Sequence, residues 1–185
     1  TNKKINTTED LIAGILNIKY NQIIIYDTPG ISFLKENNKS NIKLKKNLWS
    51  ALEISDLIIY VIDSSKYNFK EIDLNIQKLN ELDKKISIIF NKNDLIDKKS
   101  IISKTKEIQN KFKIDAFFNI SAKKKYGLHN IINYMLKNSY YSDWIYDQND
   151  ISNKDDLFIS NECTRNNILS FLHKEIPYNV KIINK

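Results

Sequence analysis

The sequence predicts an α/β fold with a mostly parallel sheet and helices on both faces. Short apolar runs rich in β-branched and aromatic residues alternate with stretches whose apolar residues recur every three to four positions. The polar residues of chemical interest follow directly after those runs, where open α/β sheets bind their ligands.

In chain order, Ile12 to Ile18 reads as a strand paired with QIIIYD, Gln22 to Asp27. LIIYVID (Leu57 to Asp63), ISIIFN (Ile86 to Asn91) and IDAFFNIS (Ile114 to Ser121) have the length and residue types of buried strands. Helical spacing covers Ile42 to Ile54, Ile72 to Leu82, Ile101 to Phe112 and Leu128 to Leu136. A polar, aromatic-bearing segment from Asn138 to Asp156, without Gly or Pro, reads as a linker. Leu157 to His173 then has helical spacing, and KEIPYNVKII is strand-like up to Lys185. One helix and one strand cannot close a core. The predicted organisation is therefore a first domain over 1–138, a linker over 139–156, and over 157–185 the opening of a second domain.

Composition narrows the function classes. At 185 residues the chain can bury one sizeable core. No apolar run reaches the roughly eighteen residues of a membrane span. The first residue is Thr1, and TNKKINTTED has neither a secretory apolar core nor an Arg-rich amphipathic face, so a start lying upstream or removed is expected. The single Cys163 excludes an internal disulfide, and His129 and His173 lack the spacing of a zinc site. The net charge of +7 suits a phosphate-bearing partner, but Arg165 is the only arginine among 29 basic residues. Without guanidinium forks this charge supports non-specific attraction at most.

Three motifs carry chemistry. DTPG places Asp27, Thr28, Pro29 and Gly30 at a strand's carboxyl end. There a carboxylate can hold magnesium through water, and a glycine lets a backbone amide approach a terminal phosphate. The plainer alternative is a turn that only reverses the chain. NKND at Asn91 to Asp94 fits NKxD, whose aspartate accepts two hydrogen bonds from guanine; a second match at Asn153 to Asp156 lies in the polar linker. Only the first ends an apolar strand, and it is the one assigned to the base. SAK at Ser121 to Lys123 follows the next strand and precedes Gly127 and Leu128, so a backbone amide there can donate to a base carbonyl. DTPG, NKND and SAK at successive strand ends are specific together where NKND and SAK alone are not. Thr7 and Thr8 lie ahead of the first strand, where a threonine either ligates magnesium or caps an element.

These motifs resemble the translation-factor-like class of GTPases. TTED resembles the TTR segment of the Era and TrmE-like groups, with Thr8 at the switch threonine and Glu9 in place of arginine. ECTRNNILSFLHKEIPYNVKI is similar to the Era segment in which a Glu-x-x-Arg helix leads into an ELPYSV-type strand opening an RNA-binding KH domain. The matching residues are Glu162, Arg165, Leu172, Glu175, Pro177, Tyr178 and Val180. The resemblance implies a P-loop-NTPase-like fold, incomplete at its N-terminus, followed by the start of an α+β KH domain. It implies GTP or GDP with Mg2+ as ligand, held by Asp27, Thr28, Pro29, Gly30, Asn91, Lys92, Asp94, Ser121, Ala122 and Lys123, with Thr8 and, through water, Asp27 at the metal. Asp94 would read guanine, Asn91 and Lys92 shape its pocket, Ala122 donate its amide and Gly30 sense the terminal phosphate. Ile31 follows DTPG where some relatives place a catalytic glutamine.

The implied activity is slow GTP hydrolysis by an intact ribosome-assembly factor that binds the small subunit and its rRNA. It would be a monomer in a bacterial-type cytoplasm or organelle matrix, with room for a peripheral membrane contact. Two motifs are absent: the only glycines, Gly14, Gly30 and Gly127, form neither the GxxxxGK[ST] phosphate loop nor the KH domain's GxxG. Without the amide cradle and lysine of that loop these residues alone are expected to be inactive. The alternative from another class is a nucleotide-free module that keeps the GTPase fold as a scaffold. A tRNA-modification or tandem-domain relative is a third reading, disfavoured by the KH-like tail.

Overall fold

A computed structural model of the chain describes residues 11–31 and 42–171. Thr7, Thr8 and Glu9, and the strand-like tail with Leu172, Glu175, Pro177, Tyr178 and Val180, lie outside the described residues. Two compact units are present: residues 12–27 with 144–171, and residue 11 with 28–31 and 42–143.

The first unit is built on β1 (Ile12–Ile18) and β2 (Asn21–Asp27), antiparallel in a register that pairs Ile12 with Asp27 and Ile18 with Asn21. Only Lys19 and Tyr20 connect them, and Lys19 takes φ 53, the positive value that two-residue hairpin turns demand. The strand alternation turns Ala13 and Ile15 inward and leaves Ile12 and Gly14 exposed. Residues 144–153 run antiparallel beside β1 through an isolated bridge between Gly14 and Ser152. The chain then enters α5 (Asp156–Phe171), capped by Asp155 Oδ1 accepting from the Phe158 N–H at 2.7 Å.

The second unit is a three-layer α/β arrangement. β3 (Leu57–Asp63), β4 (Lys85–Asn91) and β5 (Ala116–Asn119) form a parallel sheet in that order. Around it lie α1 (Ile42–Ile54), α2 (Phe69–Asn80), α3 (Lys98–Gln109) and α4 (Leu128–Lys137). β4 shows why helices cover both faces. Ile88 and Phe90 pack with Ile72 and Ile76 of α2 and with Ile101 and Ile108 of α3. Ile86 joins Leu48 and Leu52 of α1, whereas Ile89 points to the other side and meets Ile131 of α4. With period-two side chains, an unbroken apolar run can stay in a pleated strand only if both faces are dry. Each fully buried Ile or Phe contributes about 1.5–3 kcal/mol through the water it sheds.

The sequence predicts α2 and α3 from their first apolar contacts, Ile72 and Ile101, but both helices begin one turn earlier. Asn68 and Asp97 cap them, accepting from the N–H groups of Glu71 and Ser100. At the far end of α1, the Lys84 ammonium donates to the carbonyls of Leu52, Glu53 and Ser55 at 2.6 Å each. That places a cation on the negative end of the helix dipole. The β3–β4 register sets Asp63 beside Asn91, so both strands deliver polar side chains to one edge of the sheet.

Candidate nucleotide-binding site

At the exit of β4 the chain must turn at once, and Lys92 makes the turn with φ 59 in the left-handed region. Asn91 holds it there: its Oδ1 accepts the Lys92 N–H at 2.8 Å and, from the neighbouring strand exit, the Ala122 N–H at 3.0 Å. Both neighbours are donors, so the amide orientation of Asn91 is fixed with oxygen inward. The Asn93 N–H donates to the Ile120 carbonyl at 3.0 Å, and the Ile120 N–H to the Phe90 carbonyl at 2.9 Å. The exits of β4 and β5 are thus laced into one frame.

Asp94 follows in a 3-10 turn, Asn93–Leu95. Its carboxyl is held below the usual carboxylate range first by a hydrogen bond from Ser121 and further by Lys124, whose Nζ lies 3.6 Å from Oδ2. Ser121 is 1% exposed, and its Oγ also accepts the Lys124 N–H at 3.2 Å. A tight loop continues to Tyr126, which exchanges backbone hydrogen bonds with Ser121. Gly127 then starts α4 at φ +78, where a Cβ would stand 2.6 Å from the Asn119 carbonyl oxygen. Lys123 lies exposed on this loop.

Asp63, at the end of β3, joins this frame. Asp63 Oδ2 accepts the Lys92 ammonium at 2.7 Å, while Oδ1 accepts the N–H and hydroxyl of Ser65. Lys92 first and Ser65 second lower the Asp63 carboxyl to about 2. Its signal was position alone: it ends LIIYVID at the carboxyl edge of a parallel sheet.

The second NKxD match has a different place. Asn153 accepts the Ala13 N–H through Oδ1 at 2.8 Å and donates its own N–H to the Ala13 carbonyl, so it belongs to the pairing beside β1. Within DTPG, Asp27 closes β2 in the first unit, and Thr28, Pro29 and Gly30 belong to the second. Ile31 is 7% exposed and packs with Leu48 and Leu52 of α1, so the side chain after DTPG is a core residue that cannot orient water.

The exits of β4 and β5 bring a carboxylate and a backbone amide to one edge of the sheet. An ionised carboxylate on Asp94 offers two acceptors to adjacent N–H groups, and the Ala122 amide lies nearby as a donor. Guanine presents that complement, N1–H and an exocyclic amine beside a carbonyl, whereas adenine reverses the pattern. A metal ion finds less: among the described residues no group of three or more His, Cys, Asp or Glu could hold one. No described helix is long and apolar enough to cross a membrane.

A protein-family model described as 50S ribosome-binding GTPase matches residues 1–92. GTPase Era of Rickettsia conorii is 32% identical over 181 residues, covering 97% of this chain and 52% of that protein. GTPase Era of Rickettsia akari is 31% identical, covering 97% and 60%. The fold superposes on a crystal structure of Era in complex with MgGDPNP and nucleotides 1506–1542 of 16S ribosomal RNA, with TM-score 0.76 and 25% identity over 92% of this chain and 58% of that one. Over nearly its whole length the chain is similar to the Era GTPases. It spans about half to three-fifths of the length of these Era relatives. The match to Era takes in nearly all 185 residues, and so includes the Asn91–Asp94 and Ser121–Lys123 frame as well as DTPG.

Proposed function

We propose that the chain is the guanine-reading part of an Era-type GTPase that binds GTP and GDP with Mg2+, hydrolyses GTP, and uses the cycle to bind and release small-subunit rRNA. The observation that carries this is the frame in which Asn91 ties the Ala122 amide to the exit of β4 while Ser121 and Lys124 keep Asp94 ionised. The Ala122 N–H already rests on Asn91 Oδ1, so a base carbonyl would share or replace that acceptor. Asp94 accepts from the base, Asn91 and Lys92 wall the pocket, and Lys123 follows Ala122 on the rim. Thr8 and, through water, Asp27 would ligate Mg2+, Thr28 and Pro29 would shape the turn, and the Gly30 amide would approach the terminal phosphate. When bound, the metal neutralises charge on the phosphates. Residues 1–138 would form the GTPase domain, 139–156 its link, and 157–185 the entry to a KH-like RNA-binding domain.

Supporting the rRNA assignment are the Era homology and the Era complex with a 16S fragment. A scaffold reading without nucleotide is favoured by one fact, that none of the three glycines lies in a GxxxxGK[ST] loop. Fluorescent GDP and GTP binding with ATP competition, on these 185 residues and on the complete gene product, separates the two. Guanine-selective binding by the complete product supports the GTPase; its absence from both leaves the scaffold.

A further inference from the structure

The loop that closes the base frame sets a cation against the carboxylate assigned to guanine. Ser121 and Tyr126 exchange backbone hydrogen bonds at 3.2 and 3.0 Å, and the Lys125 N–H donates to the Ala122 carbonyl at 3.2 Å. Lys125 takes φ 54, so the chain doubles back sharply between Ser121 and Tyr126. Lys124 is pinned inside that turn: its N–H donates to Ser121 Oγ at 3.2 Å, and the Ser121 hydroxyl in turn donates to Asp94. From there its side chain returns to the same carboxylate, with Nζ 3.6 Å from Oδ2. Lys92, the other cation of the frame, sends its ammonium to Asp63 instead.

An ionised carboxylate offers about four lone-pair positions. Ser121 takes one and Lys124 faces another, which leaves two for the N1–H and exocyclic amine of guanine. Without a cation beside it, a carboxylate facing a base that lacks the amine is left with an unpaired oxygen. A site built to hydrogen-bond a group rejects the analogue without it for that reason. The Asp94 side chain is 15% exposed, so water has little room to make up the loss, whereas the Lys124 side chain is 65% exposed and can adjust. A movement of about 1 Å turns the ion pair into a charge-assisted hydrogen bond.

We propose that Lys124 sets how strictly the site demands the exocyclic amine, and that through it the protein takes inosine nucleotides nearly as well as guanine nucleotides. This rests on the guanine-nucleotide reading of the preceding subsection. Inosine keeps the N1–H for Asp94 and the carbonyl for the Ala122 amide and lacks only the amine, whose place on the carboxylate the Lys124 ammonium takes. Adenine stays excluded, because its ring nitrogen and amine reverse both partners. Lys124 acts through Asp94 and is a positioning residue.

GTP and ITP affinities measured side by side on the complete protein test this. Wild type should favour GTP over ITP by less than about tenfold, and Lys124→Met, which keeps the stem and removes the charge, should widen that ratio about tenfold. Damage to the loop would weaken both nucleotides together and leave the ratio where it was. Lys124→Arg should restore the wild-type ratio. Because the lysine is exposed, raising KCl from about 0.05 M to about 0.5 M should widen the wild-type preference and leave that of Lys124→Met unchanged. The salt series on wild type needs no variant, so it decides the matter even if Lys124→Met folds poorly. A ratio that is the same in wild type and Lys124→Met, or a wild-type ratio indifferent to salt, overturns the proposal while leaving the guanine reading intact. Failure of GTP to bind overturns the guanine reading first, and the role of Lys124 with it.

Discussion

Replacing Gly127 by alanine tests whether the base frame depends on one backbone conformation. At φ +78 an L-residue meets a steric cost of about 1–2 kcal/mol. The added Cβ would also lie 2.6 Å from the Asn119 carbonyl oxygen and 3.0 Å from Ile120 Cγ2. Asn119 ends β5, and Ile120 is hydrogen-bonded to both Phe90 and Asn93, so the nearest neighbour is backbone and the Ile120 methyl beside it sits on a tethered residue. Forcing such a shift costs about 1–3 kcal/mol more, for a total near 3 kcal/mol. With a urea slope of about 2 kcal/mol/M, the midpoint should fall by about 1.5 M. Trp49, packed in the same unit, reports this transition by fluorescence once Trp144 is replaced by phenylalanine. Gly14→Ala, followed through Trp144, is the control. Its Cβ meets nothing nearer than the Ile25 carbonyl at 4.0 Å, so the midpoint should hold or rise slightly. A fall below about 0.3 M for Gly127→Ala, or equal losses for the two alanines, would refute the reasoning.

Tyr134 donates to Asp115 and accepts from the buried Ser87 hydroxyl at 2.8 Å. Tyr134→Phe should therefore cost about 1–3 kcal/mol in urea unfolding, with part recovered in the double variant Tyr134→Phe/Ser87→Ala, which removes the stranded hydroxyl. Burial first, and the Asp115 hydrogen bond second, push the Tyr134 phenol up to about 12. Because the folded state holds that proton more tightly than the unfolded chain, its contribution is full below about pH 10 and fades as pH rises toward 12. The wild-type advantage over Tyr134→Phe should shrink across that window. Asp63→Asn keeps an Oδ1 to cap Ser65 but loses the acceptor for Lys92. With the folded Asp63 carboxyl at about 2, its contribution is present above the unfolded value of about 3.9 and lost as pH falls toward 2. Unfolding curves of wild type and Asp63→Asn should diverge at pH 5 and converge by pH 2.

The strands were legible because Ile, Val and Phe in unbroken runs of about seven have no other stable place in a chain of this length. Helix starts were less so. Apolar spacing first registers at Ile72 and Ile101, the first residues to touch the sheet, whereas Asn68 and Asp97 begin those helices by binding N–H groups. IDAFFNIS is strand-like over eight residues, but only Ala116–Asn119 pairs with β4. At the site, Asn91 and Asp94 were readable from spacing after a strand. Asp63 was not, since its partner Lys92 lies 29 residues on and comes into reach only through the β3–β4 register. The pairing of residues 144–153 beside β1 was invisible for a related reason. Its contacts join backbone groups and scattered polar side chains, Gln22 and Asn17 among them, at separations above 120 residues, which leave no mark in composition.

If Asp94 reads the amine and N1–H of guanine, replacing it must change which base the protein prefers. Xanthine carries a carbonyl where guanine has its exocyclic amine, so it should pair with an asparagine amide and be repelled by a carboxylate. GTP and XTP affinities measured on the complete protein should favour GTP for wild type and XTP for Asp94→Asn. The switch should be about a hundredfold or more in each direction, as polar groups left unpaired against the bound base imply. Equal preference in the two proteins, or loss of both nucleotides without the reversal, would contradict the account and place the base elsewhere.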